Sequence, residues 1–191
     1  IYALDDLLTL LGDRHALKEQ RAHVKKYREV GLGVMGLADL ALSMRLPYGS
    51  KEFLEFLDVL MRRMINQAAK ATALNAKVKG AFPAFDYEKV SASKFYQTVI
   101  DSDTDALIKK HGMRNSRLLS IAPTGSISNI IGVSGGVEPY FQLSYTRRII
   151  SMFEEEKKIV VWEKTPLAFA KTLNVDPDDL PEWAKITSQN I

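Results

Sequence analysis

The chain has 191 residues, of which 46% are hydrophobic and 26% charged, the balance of a soluble globular protein rather than a disordered or fibrous one. Its 26 Lys and Arg face 23 Asp and Glu for a net charge of +3, and the cations are scattered apart from pairs such as Lys25-Lys26 and Arg147-Arg148, so no coherent basic face is expected and nucleic acid is not an expected partner. The absence of cysteine excludes disulfides, thiolate-bound zinc and a thiol nucleophile from this chain.

In chain order, residues 2–11 place Leu4, Leu7, Leu8 and Leu11 on one helical face, and Gly12-Asp13 stops that helix. A charged stretch follows from Arg14 to Glu29, and then an apolar run opened by Gly31, in which Val34, Leu37, Ala38, Ala41 and Met44 keep helical spacing. Pro47-Tyr48-Gly49 predicts a turn. Ser50 is a good N-cap for a long helix over 51–79. Its Phe53, Leu57, Leu60, Met64, Ala68, Ala71 and Leu74 predict one continuous buried stripe, ended by Gly80 and Pro83.

Residues 84–100 look loop-like. Ser102 with Asp105 resembles a capping box for a short helix to Lys110, which Gly112 terminates. Leu118 to Ala122 predicts a buried strand, residues 123–126 a turn, and Ile127 to Ile131 a short helix broken by Ser134-Gly135-Gly136. Tyr140 to Ile150 predicts a second strand, 154–158 a solvated hairpin or loop, and Ile159 to Trp162 a third strand. A helix over 166–173 leads into a proline-rich tail. The pattern is an α/β mixture rich in helix, without the regular alternation of a complete doubly wound sheet.

His15, His23 and His111 lie far apart and lack a metal-ligand spacing, so no metal site is expected. No apolar run reaches the roughly 18 residues of a membrane span, and no signal peptide is visible. A membrane is not an expected partner, and a cytoplasmic location is expected. The chain opens on Ile1 rather than methionine, which suggests a piece of a longer polypeptide.

Two segments could meet a phosphate. Gly31-Leu-Gly33-Val-Met-Gly36 matches the dinucleotide fingerprint GxGxxG. Its context fails: the preceding Val24 to Val30 is too charged for a central parallel strand, and the region where an acidic strand end should follow is the helix after Ser50. These glycines are therefore expected to let a helix or turn pack closely. The second segment, Leu118 to Ile130, offers Pro123 to preorganise a turn, Gly125 to admit a ligand to the backbone, and the hydroxyls of Ser126 and Ser128 at a helix start. A helix start favours anions, and no Walker lysine is present. The residues alone leave two readings open, an anion cradle or a capped strand-to-helix connector.

Asn115-Ser-Arg-Leu-Leu-Ser-Ile-Ala-Pro-Thr-Gly-Ser-Ile-Ser128, followed by Gly136-Val-Glu-Pro-Tyr-Phe141 and Ser144-Tyr-Thr-Arg147, resembles the large, catalytic subunit of ribonucleotide reductases. Tyr27-Arg28-Glu29-Val30-Gly31-Leu-Gly-Val-Met-Gly-Leu-Ala-Asp39, with Pro47-Tyr48-Gly49-Ser50, resembles an earlier block of the same family. The resemblance covers 25–150 well and the two ends loosely. It implies that the whole chain, 1–191, is one fragment of a ten-stranded α/β barrel made of two half-barrels. It implies that Pro123, Thr124, Gly125, Ser126 and Ile127 bind the phosphates of a ribonucleotide substrate, and it gives Glu138 a structural role, beside the plain alternative of a surface salt bridge or cap.

The family's thiyl radical and redox cysteine pair have no counterpart here, so no catalytic residue is assigned and the fragment alone is expected to be inactive and to bind no cofactor. Glycine at 125 is most similar to the adenosylcobalamin-dependent reductases, with a radical-generating dimetal small subunit as the alternative. The remainder of the catalytic subunit is the expected partner, and the full enzyme is expected to be a homodimer. The rival functions are a nicotinamide-dependent dehydrogenase using Gly31, Gly33 and Gly36, and a non-catalytic module that docks through the 51–79 helix.

Overall fold

The structure, a computed structural model, describes residues 1–149 and 157–189. In chain order its helices are α1 (Tyr2–Leu11), α2 (Lys18–Tyr27), α3 (Leu37–Ser43), α4 (Lys51–Lys79), α5 (Tyr87–Ser91), α6 (Lys94–Val99), α7 (Ser102–His111), α8 (Gly125–Ile131) and α9 (Lys164–Leu173), with strands β1 (Ser144–Ile149) and β2 (Lys157–Trp162) between α8 and α9. Two compact units emerge, Ile1–Leu32 with Leu57–Ser120, and Gly33–Phe56 with the described residues from Ile121 on.

In the first unit the core gathers Ala68, Ala69 and Ala73 of α4 with Phe82, Tyr96, Ile108, Met113 and Leu118. The start of α4 after Ser50 is as predicted, with Ser50 Oγ accepting from Phe53 N at 3.2 Å, and Gly80, at φ +83°, follows its last residue. Of its predicted stripe Phe53 and Ala68 are buried and Leu57, Leu60, Met64 and Ala71 half-buried. Leu74 is 41% exposed, whereas Asn66, Ala69, Thr72, Ala73, Asn75 and Ala76 are buried. Small residues let neighbours approach the helix backbone, so beyond Phe53 burial in α4 follows Ala, Thr and Asn rather than the larger side chains.

The stretch 84–100 corrects the expected loop: it holds α5 and α6, capped by the side chains of Asp86 and Ser93. The cap of α7 is Asp101, which accepts from Thr104 N at 2.7 Å. Asp105, assigned to a capping box, instead accepts the hydroxyls of Tyr87 and Tyr96, each at 2.8 Å.

The fully buried residue of α1 is acidic. Asp5 Oδ1 accepts from Arg28 Nη2 at 2.6 Å and from Asn115 Nδ2 at 3.0 Å, and Oδ2 accepts from Asn75 Nδ2 at 3.1 Å and Arg114 Nε at 3.4 Å. Burial raises its pKa, but the Arg28, Asn115 and Arg114 partners outweigh burial and hold it at about 2. With Leu7 and Leu11 51% and 49% exposed, it is an ionic lock at Asp5 rather than the leucine face that ties α1 to the segments after α2 and α7.

In the second unit Leu42 of α3 packs with Phe169, Ala170, Leu180 and Ala184, and Trp183 meets Phe169 edge-on at 5.6 Å. β1 and β2 pair antiparallel, Ser144 opposite Trp162 and Ile149 opposite Lys157. The predicted strand 140–150 thus begins at Ser144, and the predicted strand at 159–162 begins at Lys157. Ile150 and most of the expected loop at 154–158 lie outside the described residues.

The ten-stranded barrel implied by the resemblance is not seen within the described residues. They hold this hairpin and two isolated parallel bridges, Leu32 to Leu119 and Tyr140 to Thr187. The expected strand at 118–122 is one of these bridges: Leu32 N donates to Leu118 O at 2.9 Å and Ser120 N to Leu32 O at 3.0 Å. A barrel strand is hydrogen-bonded on both sides, and this segment has a neighbour on one.

Candidate functional site: the loop before the eighth helix

Residues 123–127 lie where a chain from Leu118 turns into α8. Thr124 has φ +51° and ψ +23° and caps the helix without a side-chain bond to it. A β-branched residue in this left-handed region is strained by roughly 1–2 kcal/mol. It is held there by a bond from outside the helix, since Thr124 Oγ1 accepts from Gly136 N at 2.8 Å. The segment that supplies this donor lies too close for side chains. A Cβ on Gly135 would sit 2.9 Å from Pro123 O, and one on Gly136 2.7 Å from Ala122 O. Ser134-Gly135-Gly136, expected only to break α8, is the wall against which the loop rests.

The first helical bond of α8 runs from Ser128 N to Thr124 O at 2.9 Å. The N–H groups of Gly125, Ser126 and Ile127 precede it, and none has an acceptor among the described residues. Residues 121–127 are exposed apart from half-buried Thr124, and a Cβ on Gly125 would meet nothing within 4 Å. The first turn carries no acidic residue, and at the other end Lys164 Nζ donates to Ile131 O at 3.4 Å. Ser128 is 3% exposed and its hydroxyl donates to Gly125 O at 3.3 Å. It is therefore withdrawn from any ligand, while Ser126 remains exposed. Glu138 is exposed and forms no ion pair with a described residue; its charge, after burial, helps to push the Tyr48 hydroxyl up.

A second set of residues, unforeseen in the sequence, holds Ser134. Its carbonyl accepts from Gly36 N at 2.8 Å, its Oγ accepts from Ala38 N at 3.2 Å, and its N–H donates to Asp39 Oδ2 at 2.7 Å. Asp39 Oδ1 accepts the Tyr140 hydroxyl at 2.6 Å. Burial raises the Asp39 pKa, but hydrogen bonds from Ser134, Thr165 and Tyr140 outweigh it and lower the pKa below the usual value. Burial, then Asp39, pushes both the Tyr140 hydroxyl and the Glu163 carboxyl up. An acidic residue inside the apolar run from Val34 to Met44 was the available signal for this cluster.

The GxGxxG segment makes no phosphate site. Leu32 bridges Leu119, and a Cβ on Gly31 would lie 2.9 Å from Ser120 Cβ. Gly36, at φ +80°, caps α3, but Ser134 takes its N–H and that of Ala38. Gly31 serves close packing, as its sequence context implied, and Gly36 serves a left-handed turn into α3.

A family model described as the ribonucleotide reductase barrel domain matches residues 1–173. The chain belongs to the ribonucleotide reductase family. Among its relatives, the vitamin B12-dependent ribonucleoside-diphosphate reductase of Mycobacterium tuberculosis (strain CDC 1551 / Oshkosh) is 36% identical over 148 residues, 77% of this chain and 18% of that protein. The protein of the same name from Thermoplasma acidophilum is 31% identical over 151 residues, 78% of this chain and 17% of the other. The ribonucleoside-diphosphate reductase subunit alpha of Chlamydia muridarum is 30% identical over 176 residues, 76% of this chain and 17% of the other. This ribonucleotide reductase segment thus spans less than a fifth of the length of these curated relatives. Among its described residues no helix is long and apolar enough to cross a membrane, and no group of three or more His, Asp or Glu is placed to hold a metal ion.

Proposed function

We propose that this chain is the part of a ribonucleoside-diphosphate reductase catalytic subunit that grips the phosphates of the substrate. The reading is carried by three adjacent main-chain donors, the N–H groups of Gly125, Ser126 and Ile127, left without acceptors among the described residues on an exposed helix start in a member of this family. Such donors carry partial positive charge and match phosphate oxygens, and the Ser126 hydroxyl adds a fourth. Pro123 and Thr124 set the turn. The loop binds and orients, while radical chemistry on the ribose belongs to cysteines that this chain does not contain. Diphosphate is the preferred substrate form on the names that the relatives carry.

Those from M. tuberculosis and T. acidophilum are named vitamin B12-dependent, which together with Gly125 supports adenosylcobalamin as the radical source of the complete enzyme. One cavity of the second unit is too small for that group. The cavity between Ala38, Leu42, Tyr48, Tyr140 and Trp183 measures about 20 Å³, room for one water molecule. The remainder of the catalytic subunit would complete the barrel and supply the reacting thiols.

The test is Gly125→Leu in a complete reductase that carries this segment. The open space around Gly125 gives the new side chain room within the protein, so the variant should fold and obstruct only the ligand. KM for the ribonucleoside diphosphate should rise about tenfold or more. An unchanged KM would refute the assignment of the loop.

A further inference from the structure

We infer that Asp39 is a positioning residue for the loop at 123–127: its carboxylate fixes Ser134, and Ser134 places the two glycines against which the loop is held. The inference rests on the phosphate-binding reading of that loop. Asp39 is 9% exposed within a helix whose other buried residues are Leu37, Ala38, Ala41 and Leu42. Its hydrogen-bond partners Ser134, Tyr140 and Thr165 are uncharged. A buried carboxylate without a cation is a costly way to pack a helix, so its bonds, rather than its bulk, explain its place.

Those bonds converge on one residue. Ser134 is held at its N–H by Asp39, at its carbonyl by Gly36 and at its hydroxyl by Ala38, which leaves it little freedom to shift or rotate. The next residues, Gly135 and Gly136, lie against the carbonyls of Pro123 and Ala122 at distances that exclude a Cβ. Gly136 N then holds Thr124 in its left-handed conformation. That conformation decides where the following N–H groups point, because Thr124 is the hinge between the incoming chain and α8. With the Asp39 carboxylate gone, Ser134 N is unpaired, the 134–136 segment relaxes, and Thr124 loses the contact that opposes its strain. The Gly36 block thus anchors the loop of another segment instead of binding phosphate itself.

The experiment compares Asp39→Ala, Asp39→Asn, Gly135→Ala and Gly125→Leu in a complete reductase, measuring kcat, KM for a ribonucleoside diphosphate, and inhibition by inorganic pyrophosphate and by the phosphate-free nucleoside. Asp39→Ala should raise KM and weaken pyrophosphate by about tenfold, with kcat within about threefold and nucleoside inhibition unchanged. Asp39→Asn should stay near wild type, because its Oδ1 can still accept from Ser134 N while its amide donates to the Tyr140 oxygen. Gly135→Ala forces the Pro123 carbonyl to move and should reproduce the Asp39→Ala pattern, which keeps the test decisive if Asp39→Ala does not fold.

Wild-type KM in Gly135→Ala and in folded Asp39→Ala, with KM raised in Gly125→Leu, would overturn the positioning role and leave the phosphate loop standing. Wild-type KM in Gly125→Leu as well would remove both. An equal loss of nucleoside and pyrophosphate binding in Asp39→Ala, or an Asn variant as impaired as Ala, would also overturn the positioning role.

Discussion

Helices α3 and α8 begin alike and end up with opposite chemistry. Each is seven residues long and follows a residue in the left-handed region, Gly36 at φ +80° and Thr124 at φ +51°. At α3 Ser134 takes the N–H groups of the cap Gly36 and of Ala38, and the first turn contains Asp39. A phosphate there would find the N–H groups of Gly36 and Ala38 taken and a carboxylate in the first turn. At α8 the donors of Gly125, Ser126 and Ile127 are unclaimed among the described residues, and no acid stands in the first turn. The better sequence match to a phosphate motif lies at the helix whose start has fewer unclaimed donors and an acid. A glycine pattern reports where the backbone is permitted to go; the fate of the amides decides whether an anion can follow.

The largest expected way to break this contrast is Gly36→Val. A β-branched side chain would be forced into φ +80° with its Cβ 3.4 Å from that of Val133, so a loss of about 3 kcal/mol is expected in a urea titration. A loss below about 1 kcal/mol would mean that α3 can start without the left-handed residue. Acid should act next. The folded pKa of Asp39 is lowered from an unfolded value of about 3.9. Its contribution is therefore fully present above pH ~4 and is lost as pH falls through the folded value. Glu163, pushed up chiefly by burial and then by Asp39, titrates in the opposite sense. Urea midpoints taken below pH ~4 should fall more steeply for the wild type than for Asp39→Asn, and parallel slopes would deny Asp39 a favourable charged form.

Much of the helical framework was legible because it is locally encoded. Ser50 and Gly80 bracket α4 as their cap chemistry requires, and Gly112 ends α7. The loop at 123–127 was legible from Pro123, Gly125 and the following apolar run, although α8 begins at Gly125 rather than Ile127. What escaped was long-range. Asp5 reads as the polar side of a leucine helix, yet its partners Asn75, Arg114 and Asn115 are 70 to 110 residues away. Asp39 and Ser134, 95 residues apart, carry no mutual signal in one sequence. Periodicity reports which residues share a face, not which buried acid will find a donor. The strands suffered similarly, because 118–122 has the composition of a strand but only one pairing neighbour to make it one.

The smallest effect separates two accounts of Thr124. If its left-handed conformation were merely tolerated, glycine there would relieve roughly 1–2 kcal/mol of strain and stabilise the protein. Thr124 Oγ1, however, satisfies the N–H of Gly136, a buried residue. Thr124→Gly forfeits that bond and gains the unfolded-state entropy of glycine, so the opposing effects should nearly cancel, to within about 1 kcal/mol. Thr124→Val keeps the strain, keeps water out and loses the acceptor, and should be the less stable of the two by about 1 kcal/mol. That order reverses the one expected at an ordinary backbone position, where glycine is the more damaging choice. Thermal denaturation of Thr124→Val against the wild type therefore reads the bond from Gly136, and of Thr124→Val against Thr124→Gly the backbone preference of residue 124; a valine variant as stable as the wild type would deny that bond any part in holding the entrance of α8.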